Sequence, residues 1–304
     1  MKMRLNFCWC IILLAVIWKA DSIAVRAGRA KHLLCAEYGI WQAHRHKASL
    51  SGLQPLTTQG NEWFAKYHFI SHSGGIVHGR LQTNSREAWE LSYRRGNRVI
   101  DADYEFTADN HGVLRHGWTQ KLEQGSEPRA MTLQDFTNTP IKYKYHSMAV
   151  EDVITFMLSH KDLYVAVDSK QTPAKTYTSI VKTARDMNAA ETLDRIIVSL
   201  YRPEDISVVR NIYPFRSFVL RQYGWVHNWY RLAEFCLKND IHAVNVSSEV
   251  IDADPEGVKL LISKGIHVYA AVVNSLEQMQ HYKDLGITGA VSDYLSESDW
   301  GLLR

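Results

Sequence analysis

Leu163-Tyr164-Val165-Ala166-Val167-Asp168 decides the reading of this chain: an apolar run that stops on a carboxylate. A strand covered by helices on both faces has no wet side, so it reads as a near-continuous apolar run. Seven further runs follow the same plan, at Tyr67 to His72, Val99 to Tyr104, Ile196 to Tyr201, Ser217 to Gln222, His242 to Val246, His267 to Val273 and Gly289 to Asp293. Helical spacing separates them near Asn84 to Arg95, Val150 to Ser159, Lys175 to Asn188, Pro203 to Asn211, Trp229 to Asn239, Pro255 to Lys264 and Leu276 to Leu285. Such alternation implies a parallel sheet, and eight units in about 240 residues match the size of a closed barrel. Polar residues close nearly every run: His72, Asp103, Asp168, Tyr201, Arg221, Ser247, Asn274 and Asp293. Barrels assemble their sites from the ends of many strands, whereas an open sheet concentrates its site at one switch point. The expected fold is therefore α/β, a β/α (TIM-type) barrel of eight parallel strands over residues 63–304. Asp109 to Thr139 reads as a loop or small insertion over its mouth, and residues 21–62 as an extension packed under or beside it.

The 304 residues, 46% hydrophobic, suffice for one large core. The net charge of +3 comes from 35 basic and 32 acidic residues, and Lys2, Arg4 and Lys19 account for the excess. A balanced remainder excludes a nucleic-acid partner read from net charge, so any anion site must be local. The basic start leads into the apolar run Leu5 to Trp18 and then into Lys19, Asp21 and Ser22, the layout of an export signal. The run falls short of the roughly 20 residues of a full span, which favours removal over anchoring. The expected location is extracytoplasmic, as a secreted protein or one held at a membrane by residues 1–20. Beyond that leader Cys35 and Cys236 allow one disulfide at most.

Chemistry concentrates in Val99-Ile100-Asp101-Ala102-Asp103, where two carboxylates one residue apart project to the same side of a strand. Such a pair is half of a metal site or a solvated strand edge. Asp168 ends the next barrel run, and three acids at one mouth repel unless a cation neutralises them. All-oxygen ligation favours Mg²⁺ or Ca²⁺. Lys170, two residues beyond Asp168, suits a phosphate oxygen. His72 precedes Ser73-Gly74-Gly75, a turn where backbone can approach a ligand, and His116 lies in the hairpin-like Gly112 to Gly117. Among fourteen histidines these two stand out only by their placement relative to the acids.

His72-Ser73-Gly74, Thr83-Asn84-Ser85, Asp101-Ala102-Asp103, His116-Gly117 and Asp168-Ser169-Lys170 together resemble the glycerophosphodiester phosphodiesterase family. The family's order is His-Arg-Gly, Glu-Asn-Thr, Glu-x-Asp, His-Asp and Glu-x-Lys. Val268 to Asn274 and Gly286 to Asp293 also resemble its last two strands. The resemblance implies metal ligation by Asp101, Asp103 and Asp168, phosphate contact by Lys170, and acid and base roles for His72 and His116. Ser73 stands where the family has an arginine and Thr83 where it has an acid. Asp101 and Asp168 are one methylene shorter than its glutamates. The Asp-x-Lys and the missing arginine also resemble the sphingomyelinase D branch.

The expected activity is metal-dependent cleavage of a small-molecule or lipid phosphodiester, one histidine activating the nucleophile and the other protonating the leaving alcohol. Arg221 is expected to help hold the phosphate, with Trp225 beside it. The alternatives are a catalytically silent barrel that binds phosphate ligands, motivated by Ser73 and Thr83, and a sugar-processing barrel using Asp103 and Asp168, which gives the histidines and Lys170 no role.

Overall fold

Eight parallel strands close into a ring in the computed structural model, which describes residues 50, 52–58, 60, 62–119, 128–222 and 228–304. The strands are β1 (Phe69–Ser71), β2 (Val99–Phe106), β3 (Gly112–Leu114), β4 (Tyr164–Ser169), β5 (Ile196–Leu200), β6 (Ser217–Gln222), β7 (Ala243–Ser247), β8 (His267–Ala271) and β9 (Gly289–Ser292). Their order is β1-β9-β8-β7-β6-β5-β4-β2-β3, and a pairing of β1 with β2 completes the closure. All eight expected runs are barrel strands. The exception is β3, an antiparallel arm on β2 with Leu114 opposite Tyr104. The leader, Cys35 and Trp225 lie outside the described residues. No helix among those described is long and apolar enough to cross a membrane. Cys236 is fully buried, and burial pushes its thiol up to about 12.

Helices fill the crossovers: α1 (Trp63–Lys66), α2 (Arg86–Arg94), α3 (Leu133–Asn138), α4 (Val150–Ser159), α5 (Pro173–Asp186), α6 (Asp205–Ile212), α7 (Trp229–Asn239), α8 (Ser248–Ala253), α9 (Pro255–Ser263), α10 (Leu276–Asp284) and α11 (Glu297–Trp300). Side-chain caps fix several starts: Ser85, Thr172, Asn228, Asp254 and Ser275 accept from the backbone amides of Ala88, Lys175, Arg231, Gly257 and Gln278. Pro173 and Pro255 sit in first turns, where no amide hydrogen is needed. Four helices were not legible as periodic segments: α1 and α11 are only four residues long. α3, in the stretch read as a loop, and α8 are each six residues long, too short to show a repeat of 3.6.

The period of two along each strand builds the barrel interior in layers. Ile70, Val99, Ala166, Ile197, Val219, Ala243, Tyr269 and Val291, one from each barrel strand, form an apolar floor together with Trp63 of α1. Trp63 stacks on Tyr269 with ring centroids 5.5 Å apart and stoppers this end of the barrel. Two residues further along, the inward positions turn polar: Asp101, Asp168, Ser199, Arg221, Asn245 and Asp293. The functional layer therefore rests on a dry floor. From the extension, Leu50 and Leu56 pack on the outer core, and the Leu56 amide donates to the Lys264 carbonyl at 2.9 Å.

Candidate active site

β1 ends in a turn that ordinary side chains resist. Ser73, Gly74 and Gly75 have φ of 49°, 86° and 80°, a left-handed run that glycine adopts without steric cost. Gly74 is required twice over, because a Cβ there would stand 2.9 Å from Trp89 Cδ1. Gly74→Ala is expected to cost roughly 1–3 kcal/mol, as a strained non-glycine backbone does, and a melting curve measures it.

The turn sets His72 Nδ1 2.8 Å from Asp293 Oδ1. A carboxylate only accepts, so Nδ1 carries the proton and Nε2 remains without a protein partner among the described residues. Asn274 fixes Asp293 twice: its amide donates to Asp293 Oδ2 at 2.8 Å, and its oxygen accepts from the Asp293 backbone amide at 2.9 Å. Burial by itself would lower His72, but the hydrogen bond to Asp293 and the charges of Asp101, Asp293 and Asp103 outweigh it and raise the imidazole above its ordinary 6.5. Burial opposes ionisation of Asp293, yet the bonds from His72 and Asn274 hold it below its ordinary 3.8. The raised His72 stabilises the fold fully below 6.5 and loses this as pH rises through its folded value; the depressed Asp293 contributes above 3.8 and loses it as pH falls through its own.

Asp103 is clamped in the same manner. Asn84 donates to its Oδ2 at 2.8 Å and accepts from its backbone amide at 3.1 Å, while Ser73 Oγ donates to Oδ2 at 2.5 Å. The residue standing in for the family's arginine thus bonds the acid directly. Asp103 Oδ1 is buried and has no hydrogen-bond partner among the described residues. Across the barrel, Arg221 Nη2 donates to Asp101 Oδ1 at 2.5 Å and its Nε to Ser199 Oγ at 2.8 Å. Asp168 accepts from Lys170 Nζ at 3.1 Å on both oxygens and from the Tyr201 hydroxyl. Burial pushes Asp101 up to about 6, with Arg221 opposing and Asp168 and Asp103 adding to the rise. Asp168 moves the other way: despite its burial, Arg221, Lys170 and Tyr201 hold it below the usual carboxylate range.

The three aspartates do converge on the mouth, but each is already occupied. Mg²⁺ takes about six oxygen ligands, commonly only one or two of them protein carboxylates, and Ca²⁺ six to eight. Here Asp101 is engaged by a guanidinium and Asp168 by an ammonium and a phenol, which leaves one unpartnered oxygen on Asp103. Among the described residues no three His, Cys, Asp or Glu side chains are placed to hold one ion. The residues as arranged do not fit a three-carboxylate metal site.

Lys170 is the expected residue best placed for a phosphate, with 43% of its side chain exposed beside Asp168. Arg221 lies deeper than expected at a strand end, only 1% exposed and turned inward onto Asp101. His116 is exposed, one residue beyond Arg115, whose backbone amide donates to the Asp103 carbonyl at 2.8 Å. It makes no hydrogen bond among the described residues. Thr83 serves the start of α2, its hydroxyl 2.9 Å from that of the capping Ser85. Asp293, Asn274 and Tyr201 close strand runs in the sequence, where no local pattern marks a role for them. Only the closure of β1 on β9 sets Asp293 beside His72.

Residues 76–297 match the model of the family described as "Glycerophosphoryl diester phosphodiesterase family". That span includes Asp101, Asp103, His116, Asp168, Lys170, Arg221 and Asp293 and begins just after the His72 turn. No curated protein matches the chain. Among solved structures, a glycerophosphodiester phosphodiesterase from Parabacteroides distasonis is 16% identical with a TM-score of 0.60, over 77% of this chain and 95% of that one. A putative glycerophosphodiester phosphodiesterase from Galdieria sulphuraria is 13% identical with a TM-score of 0.62, over 75% and 94%. An Oleispira antarctica phosphodiesterase in complex with the product sn-glycerol-3-phosphate gives 13% and 0.62, over 75% and 93%. At these identities the likeness concerns the fold.

Proposed function

Because this chain belongs to the glycerophosphoryl diester phosphodiesterase family, phosphoric diester hydrolases that generally bind a divalent metal, we propose that it hydrolyses a small glycerol-type phosphodiester with His72 as the proton-transfer residue. The observation that carries this reading is the His72–Asp293–Asn274 relay, set beside the buried acids Asp101 and Asp103. In the reaction water attacks phosphorus, the bond from phosphorus to one ester oxygen breaks, and the departing alkoxide takes a proton. The His72 imidazole, whose proton affinity its acidic surroundings raise, delivers that proton from Nε2, while Asp293 holds the ring by Nδ1 and stabilises its charge. Lys170 faces solvent with its ammonium and supplies charge to the phosphate oxygens. His116, exposed beside the Asp103 strand end, is the candidate partner that accepts a proton from the attacking water. Support for the glycerol class comes from the Oleispira antarctica structure, whose bound product is sn-glycerol-3-phosphate.

The test is a panel of glycerophosphodiesters, lysophospholipids and sphingomyelin incubated with the purified protein, with products identified by mass. Release of glycerol phosphate supports the reading. Phosphate binding without turnover on any member would instead favour the silent barrel, which the serine at position 73 motivates. Asp293→Asn gives a second check. His72 donates its proton, so activity falls as pH rises through its folded value. Asparagine still offers an oxygen to Nδ1–H but removes the charge that helps raise that value, and the alkaline limb of the kcat/KM profile should move to lower pH. An unmoved limb would remove His72 from the acid role. The basic start and the run Leu5 to Trp18 support export, which sequencing the N-terminus of the protein recovered from its natural source would check.

A further inference from the structure

The acid cluster carries a cation of its own. Val219 and Arg221 share the inward face of β6, so the chain must send the Arg221 side chain into the barrel directly above the apolar floor. Its guanidinium crosses to β2, where Nη2 lies 2.5 Å and Nη1 3.5 Å from the two oxygens of Asp101, and Nε is held by Ser199 at 2.8 Å. Both side chains of the pair are 1% exposed. Arginine cannot shed its proton in this setting and fits a carboxylate with two donors at once, so its charge is permanent.

We propose that Arg221 is the resident counter-ion of this site, taking the place a divalent metal holds in the family, so that the chain assembles its phosphodiesterase site without Mg²⁺ or Ca²⁺. The proposal rests on the family reading only for which site this is. Four buried aspartates meet here, Asp101, Asp103, Asp168 and Asp293, with Arg221 on Asp101, Lys170 on Asp168 and His72 on Asp293. A divalent ion on Asp101 would have to share that carboxylate with a fixed positive charge. Ser199, which accepts from Nε at 2.8 Å, holds the guanidinium in this orientation.

The experiment titrates MgCl₂ and CaCl₂ separately into the purified full chain by calorimetry and records melting curves in EDTA and in each salt, for wild type and Arg221→Met. The expected result is no saturable heat for wild type and the same Tm in EDTA and in metal. Arg221→Met, with Asp101 released, should gain at least about 10-fold in affinity for Mg²⁺ or Ca²⁺, and its Tm should become metal-dependent. Saturable binding to wild type accompanied by a rise in its Tm overturns the proposal, as does an Arg221→Met protein that folds yet binds no better than wild type. Should Arg221→Met not fold in either condition, the wild-type titration decides alone. Neither readout needs turnover: a protein silent on every phosphodiester would defeat the proposed activity and leave this result standing.

Discussion

His72→Ala should lower kcat/KM on the best phosphodiester of the panel by roughly 10²–10⁴, the usual contribution of a positioned general acid. The size follows from how little else can do the job. Lys170 carries a proton but is bonded to both oxygens of Asp168, and Asp293 is ionised and only accepts. The loss should be largest for substrates with poorly stabilised leaving alkoxides and should shrink when the leaving group is an acidic phenol that needs no proton. Misfolding is not expected to confuse the result. Asp293 keeps both bonds from Asn274, and the backbone turn at Ser73 to Gly75 is held by the Gly75 amide donating to the His72 carbonyl and the Ile76 amide donating to the Asp293 carbonyl. A variant that melts like wild type and retains more than about a tenth of the activity would remove His72 from the chemistry, since a general acid is worth far more.

Arg221→Met carries the largest expected stability loss, about 3–5 kcal/mol in the absence of metal, because it strands Asp101 as an uncompensated buried charge. For a domain of this size that corresponds to a fall in Tm of roughly 6–20 °C. The cause is desolvation rather than lost attraction. Breaking one side of a buried pair leaves the other charge without its partner, while removing both charges removes the problem. The double variant Asp101→Asn/Arg221→Met should therefore be markedly less destabilised than the sum of its single variants, and denaturant unfolding of all four proteins yields the coupling. Additive losses would mean that the 2.5 Å contact carries no special weight in solution.

The contrast between Val219 and Arg221 shows how far the sequence could be read. Both belong to one short run, and their spacing of two places them on one face whatever the rest of the chain does. That rule, repeated in Val99 with Asp101 and in Ala166 with Asp168, is local, which is why the barrel, its strands and the acids at its mouth were legible. Local patterning also located Lys170 two residues after Asp168. Asn84 and Asn274 were harder. Each is an ordinary polar residue in a turn, and its function as a clamp depends on an aspartate 19 residues away in each case.

Which residues face inward, and at what height, is a local property, because strand periodicity and the apolar floor follow from side-chain chemistry within a few residues. Tertiary structure alone decided who meets whom. Arg221 and Asp101 are 120 residues apart and His72 and Asp293 are 221 apart, so their contacts come from the closure of β1 on β9 and from the width of the barrel. No local pattern encodes those partners, and on them depend the charge of Asp101, the proton of His72 and the need for a metal.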